Sequence, residues 1–285
     1  MRIKMVTFSD GSYALRAAGR RLAKQADSTG WFQNPSEHWT VETLRTKVPD
    51  FYSRHKKFIE MNPRGFGLWI WKPVILSYLL DHLEDGEMVL LLDAGCQLNA
   101  NKDSRIRFEK YIEICRENDL LAMQLANNSF GFNDLTDAAW TKLSVLNSLD
   151  PLSVFRKTNQ IQAGIIFAIK SEKSLRIANK WLNLCIDSDY SLLVGPSTTD
   201  YQSIEFREHR YEQSILSLIL KSEGVNPLED ETWFSPDWAK GLSYPIWAMR
   251  NRSGGDVFRR NPVDRLKLVI ARVEGRILLS CRGKS

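Results

Sequence analysis

Met88-Val89-Leu90-Leu91-Leu92-Asp93-Ala94-Gly95 is a run of five apolar residues that stops abruptly on a carboxylate. A continuous apolar run of this length is what a central strand buried on both faces requires. In open α/β sheets, ligands bind just beyond the carboxyl ends of the strands, and Asp93 falls there. Asp-Ala-Gly is equally ordinary turn chemistry, because Gly95 can take a positive φ. Upstream lies Arg64-Gly65-Phe66-Gly67-Leu68-Trp69-Ile70-Trp71-Lys72-Pro73. Pro73 suits the first position of a helix, and Val74, Ile75, Tyr78, Leu79 and Leu83 recur behind it at helical spacing. Asp85-Gly86 then stops that helix.

At the helix start, free backbone N–H groups and the cation of Lys72 form a pairing able to hold phosphate. Gly65 and Gly67 let a ligand approach the backbone closely. Trp69 and Trp71 offer flat apolar walls, or pack in the core. Two later blocks add to this region: Gln162-Ala163-Gly164-Ile165-Ile166, and His209-Arg210-Tyr211-Glu212-Gln213-Ser214-Ile215-Leu216. Gly-x-Gly-x-Trp-x-Trp-Lys-Pro, the strand ending Leu-Asp-Ala-Gly and these two blocks span residues 2 to 250. Together they resemble bacterial nucleotide-sugar-dependent glycosyltransferases of the GT-A fold.

That resemblance implies an α/β fold, Rossmann-like, with a mixed and mainly parallel sheet flanked by helices. It implies a donor held by Ser9, Asp10 and Tyr13 after the first strand, by Trp71 and Lys72, by Asp93, Ala94 and Gly95, and by Gln162 and Gly164. Many such enzymes carry Asp-x-Asp at this strand end, with both carboxylates around a divalent cation; here the second position is Gly95. Asp93 is then the metal residue, and Mn²⁺ or Mg²⁺ the expected cofactor. The other mechanism replaces the metal with Lys72, Arg207 and Arg210. The acid beside Gln213, usually Asp in the family and here Glu212, is the candidate for base or reacting-sugar contact, together with Asp93.

A chain of 285 residues can bury a large core, and most naturally forms one α/β domain with an appendage. It contains no apolar run long enough to span a membrane. Met1 to Phe8 runs straight into a strand without the apolar stretch of a signal peptide, so a cytoplasmic location is the default. Cys96, Cys115, Cys185 and Cys281 are widely spaced and fit reduced thiols better than a disulfide framework. The four histidines are scattered, and no zinc site is readable.

In chain order, Ile3 to Phe8 reads as the first strand, Ser9-Asp10-Gly11-Ser12 as its turn, and Tyr13 to Ala26 as a helix that Ser12 can cap. Residues 31 to 63 mix aromatics with charges and prolines, and read as short helices. Ser104 to Asn118 is an amphipathic helix and Leu120 to Leu125 a short strand. The polar stretch from Ala126 to Asp134 suits a loop over an acceptor pocket, or a plain surface loop. Ile161 to Ile169 reads as a buried strand in which Gly164 signals close backbone approach, and Ser174 to Cys185 as a helix. Residues 187 to 208 form a long polar loop of the kind that is functional or mobile. Tyr211 to Lys221 reads as a helix, which gathers Arg207, His209, Arg210, Glu212 and Gln213 at its start. A charge cluster of this kind is a solvated face, or on the resemblance a site for phosphate and acceptor.

The compositional boundary is Ser253-Gly254-Gly255, which divides a catalytic unit at 1–255 from an extension at 256–285. The extension carries eight Lys or Arg against Asp256, Asp264 and Glu274, a net of +5, equal to the charge of the whole chain. Val263, Leu266, Ile270, Val273 and Ile277 form its apolar stripe, suited to packing on the body or to peripheral contact with an anionic membrane. The expectation is a cytoplasmic glycosyltransferase of hexosyltransferase type, at the inner face of the membrane when the extension binds there. It takes a nucleoside diphosphate sugar and a glycan or lipid-linked acceptor, in polysaccharide or glycoconjugate synthesis, with no nucleic acid partner. Two rivals stand beside it: a sugar nucleotidyltransferase, for which Ser9-Asp10-Gly11-Ser12 is a poor phosphate loop, and a non-catalytic binder of anionic surfaces.

Overall fold

The computed structural model of the chain describes residues 2–126 and 129–255. The proposed basic helix at 256–285 and the loop residues Asn127 and Asn128 lie outside the described residues. The order begins β1 (Ile3–Phe8), α1 (Tyr13–Thr29), β2 (Glu37–Trp39), α2 (Val41–Lys47), α3 (Pro49–Met61), a one-turn α4 (Gly65–Leu68) and α5 (Trp71–His82). Next come β3 (Met88–Asp93), β4 (Gln97–Leu98), α6 (Lys102–Asn118), β5 (Leu120–Leu121), β6 (Met123–Gln124), α7 (Asp137–Trp140) and α8 (Leu143–Leu149). The described part ends with β7 (Ile165–Ile169), α9 (Glu172–Ile186), α10 (Glu212–Ser222), β8 (Leu228–Glu229) and β9 (Ile246–Trp247).

The central sheet has the order β2-β1-β3-β7-β5. β1 is parallel to β2 and β3, while β7 is antiparallel to β3 and β5, so β7 alone runs against the other four. This is the mixed, mainly parallel α/β sheet with helices on both faces that the sequence implies. Strand parity divides the core. Ile3, Met5, Met88, Leu90 and Leu92 face Leu22 and Ala26 of α1 and Phe108, Tyr111 and Cys115 of α6. Val6, Phe8, Val89 and Leu91 face the opposite cluster, with α5, α9 and α10. Asp93 shares the parity of Val89 and Leu91. Its side chain is therefore aimed at the α5 and α10 side, and the chemistry is laid on that face.

Several boundaries differ from the sequence reading for physical reasons. Residues 31–63 hold a three-residue edge strand as well as helices, and β2 is too short for a period to register. α3 runs for thirteen residues behind Pro49 in its first turn. α5 starts at Trp71, so Pro73 falls within the first turn, where a missing N–H still costs nothing. The strand expected from Ile161 begins at Ile165, because the N–H groups of Gln160 to Ala163 bond with other elements. Among the described residues, no helix is long and apolar enough to cross a membrane.

The segment before α5 is a left-handed turn: Gly65, Phe66, Gly67, Leu68 and Trp69 all have φ between 54 and 78°. Three of these are not glycine, and each carries strain of about 1–2 kcal/mol. The glycines serve packing here. A Cβ on Gly65 would lie 2.3 Å from the Trp69 ring, and one on Gly67 would lie 2.8 Å from Ile59.

Candidate active site

Three residues from three elements meet at the carboxyl end of β3. Lys72, in the first turn of α5, places Nζ 3.0 Å from Asp93 Oδ1 and 3.1 Å from Glu212 Oε1. Glu212 opens α10 directly after Tyr211, a non-glycine residue held at φ 52°. Strained backbone thus precedes both Lys72 and Glu212, as is common where a site is pre-organised. The Lys72 and Glu212 side chains are each 4% exposed, whereas that of Asp93 is 41% exposed. Burial pushes the Glu212 carboxyl up to about 7; the Lys72 ammonium pulls against that rise and Asp93 adds to it. Burial depresses Lys72, but the charges of Asp93 and Glu212 outweigh it and hold the ammonium above its ordinary range. Asp93 is the exposed member, with Lys72 and Glu212 behind it.

This arrangement overturns one expectation. Lys72 does not present a free cation at an open helix end for phosphate; it is buried between two carboxylates. The Glu212 carboxylate is buried as well, and what it touches is Lys72.

The loop after Asp93 is pinned from both sides. Asn251 N–H donates to Gly95 O at 2.9 Å, and a Cβ on Gly95 would lie 3.1 Å from Arg250 Cα. The chain therefore has backbone where the second acid of Asp-x-Asp would extend. Arg21 of α1, also buried, donates through Nη2 to Ala94 O and Cys96 O, both at 2.9 Å, and through Nε to Ser253 O at 3.2 Å. Asp93 N–H donates to Gly164 O at 2.8 Å, and a Cβ on Gly164 would stand 3.0 Å from Asp93 Oδ2. Gly164 therefore leaves the carboxylate its room. Gln162 reaches the other way, donating to Asp230 Oδ1 and Thr232 Oγ1, each at 3.2 Å. Ser129 donates to Asp230 Oδ2 at 2.9 Å. Asp230 is raised by burial, against these hydrogen bonds.

The remaining candidates separate into engaged and open groups. Ser9 Oγ donates to Leu15 O at 2.7 Å and lies 2.9 Å from His38 Nε2. Asp10 accepts from Gly11 N–H and Val41 N–H, each at 2.7 Å, and from Arg16 at 3.1 Å; these bonds outweigh burial and lower its carboxyl. The loop after β1 thus spends these groups on its own shape, while Tyr13 is 77% exposed and Arg20 lies over its ring. Trp71 is a core residue, stacked on Phe8 with ring centroids 4.4 Å apart, and is not an open wall. Gln213 donates to Gln160 Oε1 at 2.6 Å and accepts from Ala163 N–H, which ties α10 to the segment before β7.

His209 is structural. Its Nε2 donates to Leu192 O at 3.0 Å, and Nδ1 accepts from Lys142 N–H at 3.3 Å. Burial and the nearby Lys142 charge drive the imidazole down to about 3, so it stays neutral and offers phosphate no charge. Arg207 is exposed, and its N–H donates to Ala139 O at 2.8 Å. Arg210 lies with its guanidinium 3.7 Å from the centre of the Trp140 ring.

A hard divalent cation asks for about six oxygen ligands. This strand end supplies one exposed carboxylate, with Oδ1 against Lys72, while the Glu212 carboxylate lies behind that ammonium. Gly95 carries no acid, and Arg250 is close enough for its charge to interact with that of Asp93. Among the described residues, no group of three or more His, Cys, Asp or Glu is placed to hold a metal ion. The residues present do not fit Mn²⁺ or Mg²⁺, and no step is drawn through either.

Arg21, Asp230, Thr232 and Arg250 were not among the sequence candidates. One of three Arg in an Ala-rich helix and polar residues in an irregular stretch carry no periodic or motif signal. No protein-family model matches the chain, and no curated protein matches it. Similar solved structures include mouse xyloside xylosyltransferase 1 in its apo form, with TM-score 0.47 and 10% identity, covering 87% of this chain and 97% of that one. A glycosyltransferase involved in glycosylation of the major capsid of PBCV-1 has TM-score 0.40 and 10% identity, covering 93% of this chain and 100% of that one. The galactosyltransferase LgtC in complex with donor and acceptor sugar analogues has TM-score 0.40 and 13% identity, covering 90% of this chain and 81% of that one.

Proposed function

We propose that this protein transfers a sugar from a nucleoside diphosphate sugar to a hydroxyl of a glycan or lipid-linked acceptor, with residues 1–255 as the catalytic unit. The observation that carries this reading is Asp93. A half-exposed carboxylate stands at the carboxyl end of a buried central strand, with one oxygen fixed by a buried Lys72–Glu212 pair and the other kept clear by Gly164. A structural turn aspartate needs no such support. Fixing one oxygen leaves the other to orient a sugar hydroxyl or to accept the acceptor proton, and pre-organisation of this kind lowers the barrier without reorganisation in the transition state. Tyr13, exposed beside the loop after β1, is the residue assigned to the nucleoside in this reading.

The nucleotidyltransferase alternative needs a phosphate loop after β1, and Ser9 and Asp10 have their oxygens engaged within that loop. The net +5 of 256–285 supports activity near an anionic membrane surface, in polysaccharide or glycoconjugate synthesis. The test is a panel of nucleotide sugars screened by thermal stabilisation, followed by a transfer assay on each one that binds. At one hundred times Kd a ligand stabilises the native state by about 2.7 kcal/mol. Asp93→Asn is expected to abolish transfer and leave the melting temperature of the free protein within about 2 °C, since the side chain is half exposed. Transfer at the wild-type rate in that variant removes Asp93 from the reaction.

A further inference from the structure

Asp230, just after β8, accepts four hydrogen bonds from three elements. Its Oδ1 takes Gln162 Nε2 at 3.2 Å, Thr232 N–H at 2.9 Å and the Thr232 hydroxyl at 2.6 Å, while Oδ2 takes the Ser129 hydroxyl at 2.9 Å. An ionised carboxylate has about four lone-pair sites, so this one is an acceptor with all of them engaged. Thr232 Oγ1 gives its proton to Asp230 and can therefore only accept from Gln162 Nε2, 3.2 Å away. Both groups that face Nε2 are thus acceptors. A reversed amide would set the Gln162 oxygen against a carboxylate, so Asp230 dictates which end of that amide is the nitrogen.

The amide oxygen is left on the side of Asp93. A Cβ on Gly164 would lie 3.0 Å from Asp93 Oδ2 and 3.6 Å from Gln162 Oε1, so two acceptor oxygens border the space over Gly164 Cα. Gln162 is only 4% exposed, and among the described residues no donor bonds its Oε1. A buried amide oxygen left without a donor is costly, and a ligand that brings one removes the cost. The notch opens on the side of Asp93, the half-exposed member of its cluster. Two acceptors beside one gap suit a pair of neighbouring hydroxyls, each donating once. A phosphate or carboxylate brings no proton and is repelled.

We propose that Asp230 is a positioning residue that turns the Gln162 carbonyl toward Gly164, where it and Asp93 Oδ2 take hydrogen bonds from neighbouring hydroxyls of a sugar. Naming the ligand a sugar rests on the glycosyltransfer reading; the hold of Asp230 on the amide does not. Asp230 acts through Gln162, and its effect is to make the site demand hydrogen-bond donors from whatever enters it.

The first measurement is hydrogen exchange of the glutamine side-chain amides, followed by NMR on the full chain with isotope-labelled glutamine, the Gln162 signals being identified by their loss in Gln162→Leu. Asp230→Ala is expected to lower the protection of that amide by about tenfold or more, and to leave unchanged that of Gln213, whose Nε2 donates to Gln160. Asp230→Asn keeps an oxygen for Gln162 and Thr232 and can turn its nitrogen to the Ser129 hydroxyl, so it is expected to restore protection. Asp230→Ser, whose hydroxyl is too short to reach, serves should the alanine variant fail to fold. Protection unchanged by truncation, or lost equally at Gln213, overturns the proposal. The second measurement is calorimetry with the common uridine and guanosine diphosphate sugars, each beside its deoxyfluoro analogues, because fluorine has nearly the size of a hydroxyl and donates nothing. For a sugar that binds, wild type and Asp230→Asn are expected to hold the analogues fluorinated at two adjacent carbons about tenfold or more weakly than the parent, and Asp230→Ala to lose that preference. Equal affinity of wild type for the parent and every analogue, with transfer intact, overturns the hydroxyl site and leaves the glycosyltransferase reading standing. If the exchange results hold and no nucleotide sugar binds, the hold of Asp230 on Gln162 stands and the glycosyltransferase reading falls.

Discussion

Glu212→Gln is expected to make this protein more stable at pH 8 and less active. The substitution removes the buried charge and keeps an oxygen for Lys72 Nζ, now 3.1 Å from Oε1. Raising a carboxyl from 4.5 to about 7 means that the folded protein holds that proton more tightly than the unfolded chain does, by about 3 kcal/mol. Below pH 4.5 the group is protonated in both states and adds nothing. As pH rises from there towards 7, the unfolded chain releases its proton first, so stability falls, and above 7 the whole of that roughly 3 kcal/mol is lost. Glutamine stands in for the protonated acid at every pH. The variant should therefore match the wild type near pH 4.5 and exceed it at pH 8 by about 3 kcal/mol, or about 5 °C in Tm for a chain this long. Urea denaturation of both proteins across this pH range measures the difference, in which all other titrating groups cancel. A gap that stays flat with pH, or a variant less stable than wild type at pH 8, refutes the reasoning. Turnover should fall in the same variant, because Lys72 then has Asp93 as its one charged partner. Stability gained where activity is lost separates an acid kept for function from one kept for the fold.

Gly164→Ala puts a methyl group 3.0 Å from Asp93 Oδ2, and is expected to lower kcat by about tenfold or more while the melting temperature moves by less than about 3 °C; unchanged kcat would mean that this oxygen is not used. His209→Ala removes a buried ring and two hydrogen bonds, for a loss of about 2–4 kcal/mol in urea unfolding at pH 8. Because this imidazole is depressed from 6.5 to about 3, it supports the fold above 6.5 and loses that support as pH falls towards 3. The gap between wild type and His209→Ala should narrow on acidification over that range; a gap that widens contradicts the structural role.

Much of the frame is legible in the sequence. Five apolar residues ending on Asp93 report a strand buried on both faces, and β3 is the centre of the sheet. The first strand emerged with both ends correct because its alternation and the turn after it are local signals. Less legible were β2, three residues long, and the five-residue left-handed turn at 65–69, which two glycines alone do not announce. A glycine reports that space is short, and only the fold reveals that Trp69 and Ile59 fill it.

The site divides along the same line. Residue types in sequence nominate Lys72, Asp93 and Gly164, each at the end of an element where side chains converge, and the resemblance adds Glu212. Whether a nominated group is free or engaged was not available there. Lys72 and His209 look alike as cations beside a helix start, yet one is a buried ammonium between two acids and the other a neutral ring bonded to backbone. Arg250 lies 157 residues beyond Asp93 in the chain and reaches it because Gly95 has no side chain. Composition and period are properties of neighbours along the backbone, and they determine strands, helices and the face Asp93 points to. Charge state, exposure and partnership depend on what the rest of the chain packs around a group, and for this protein the tertiary structure alone decided those.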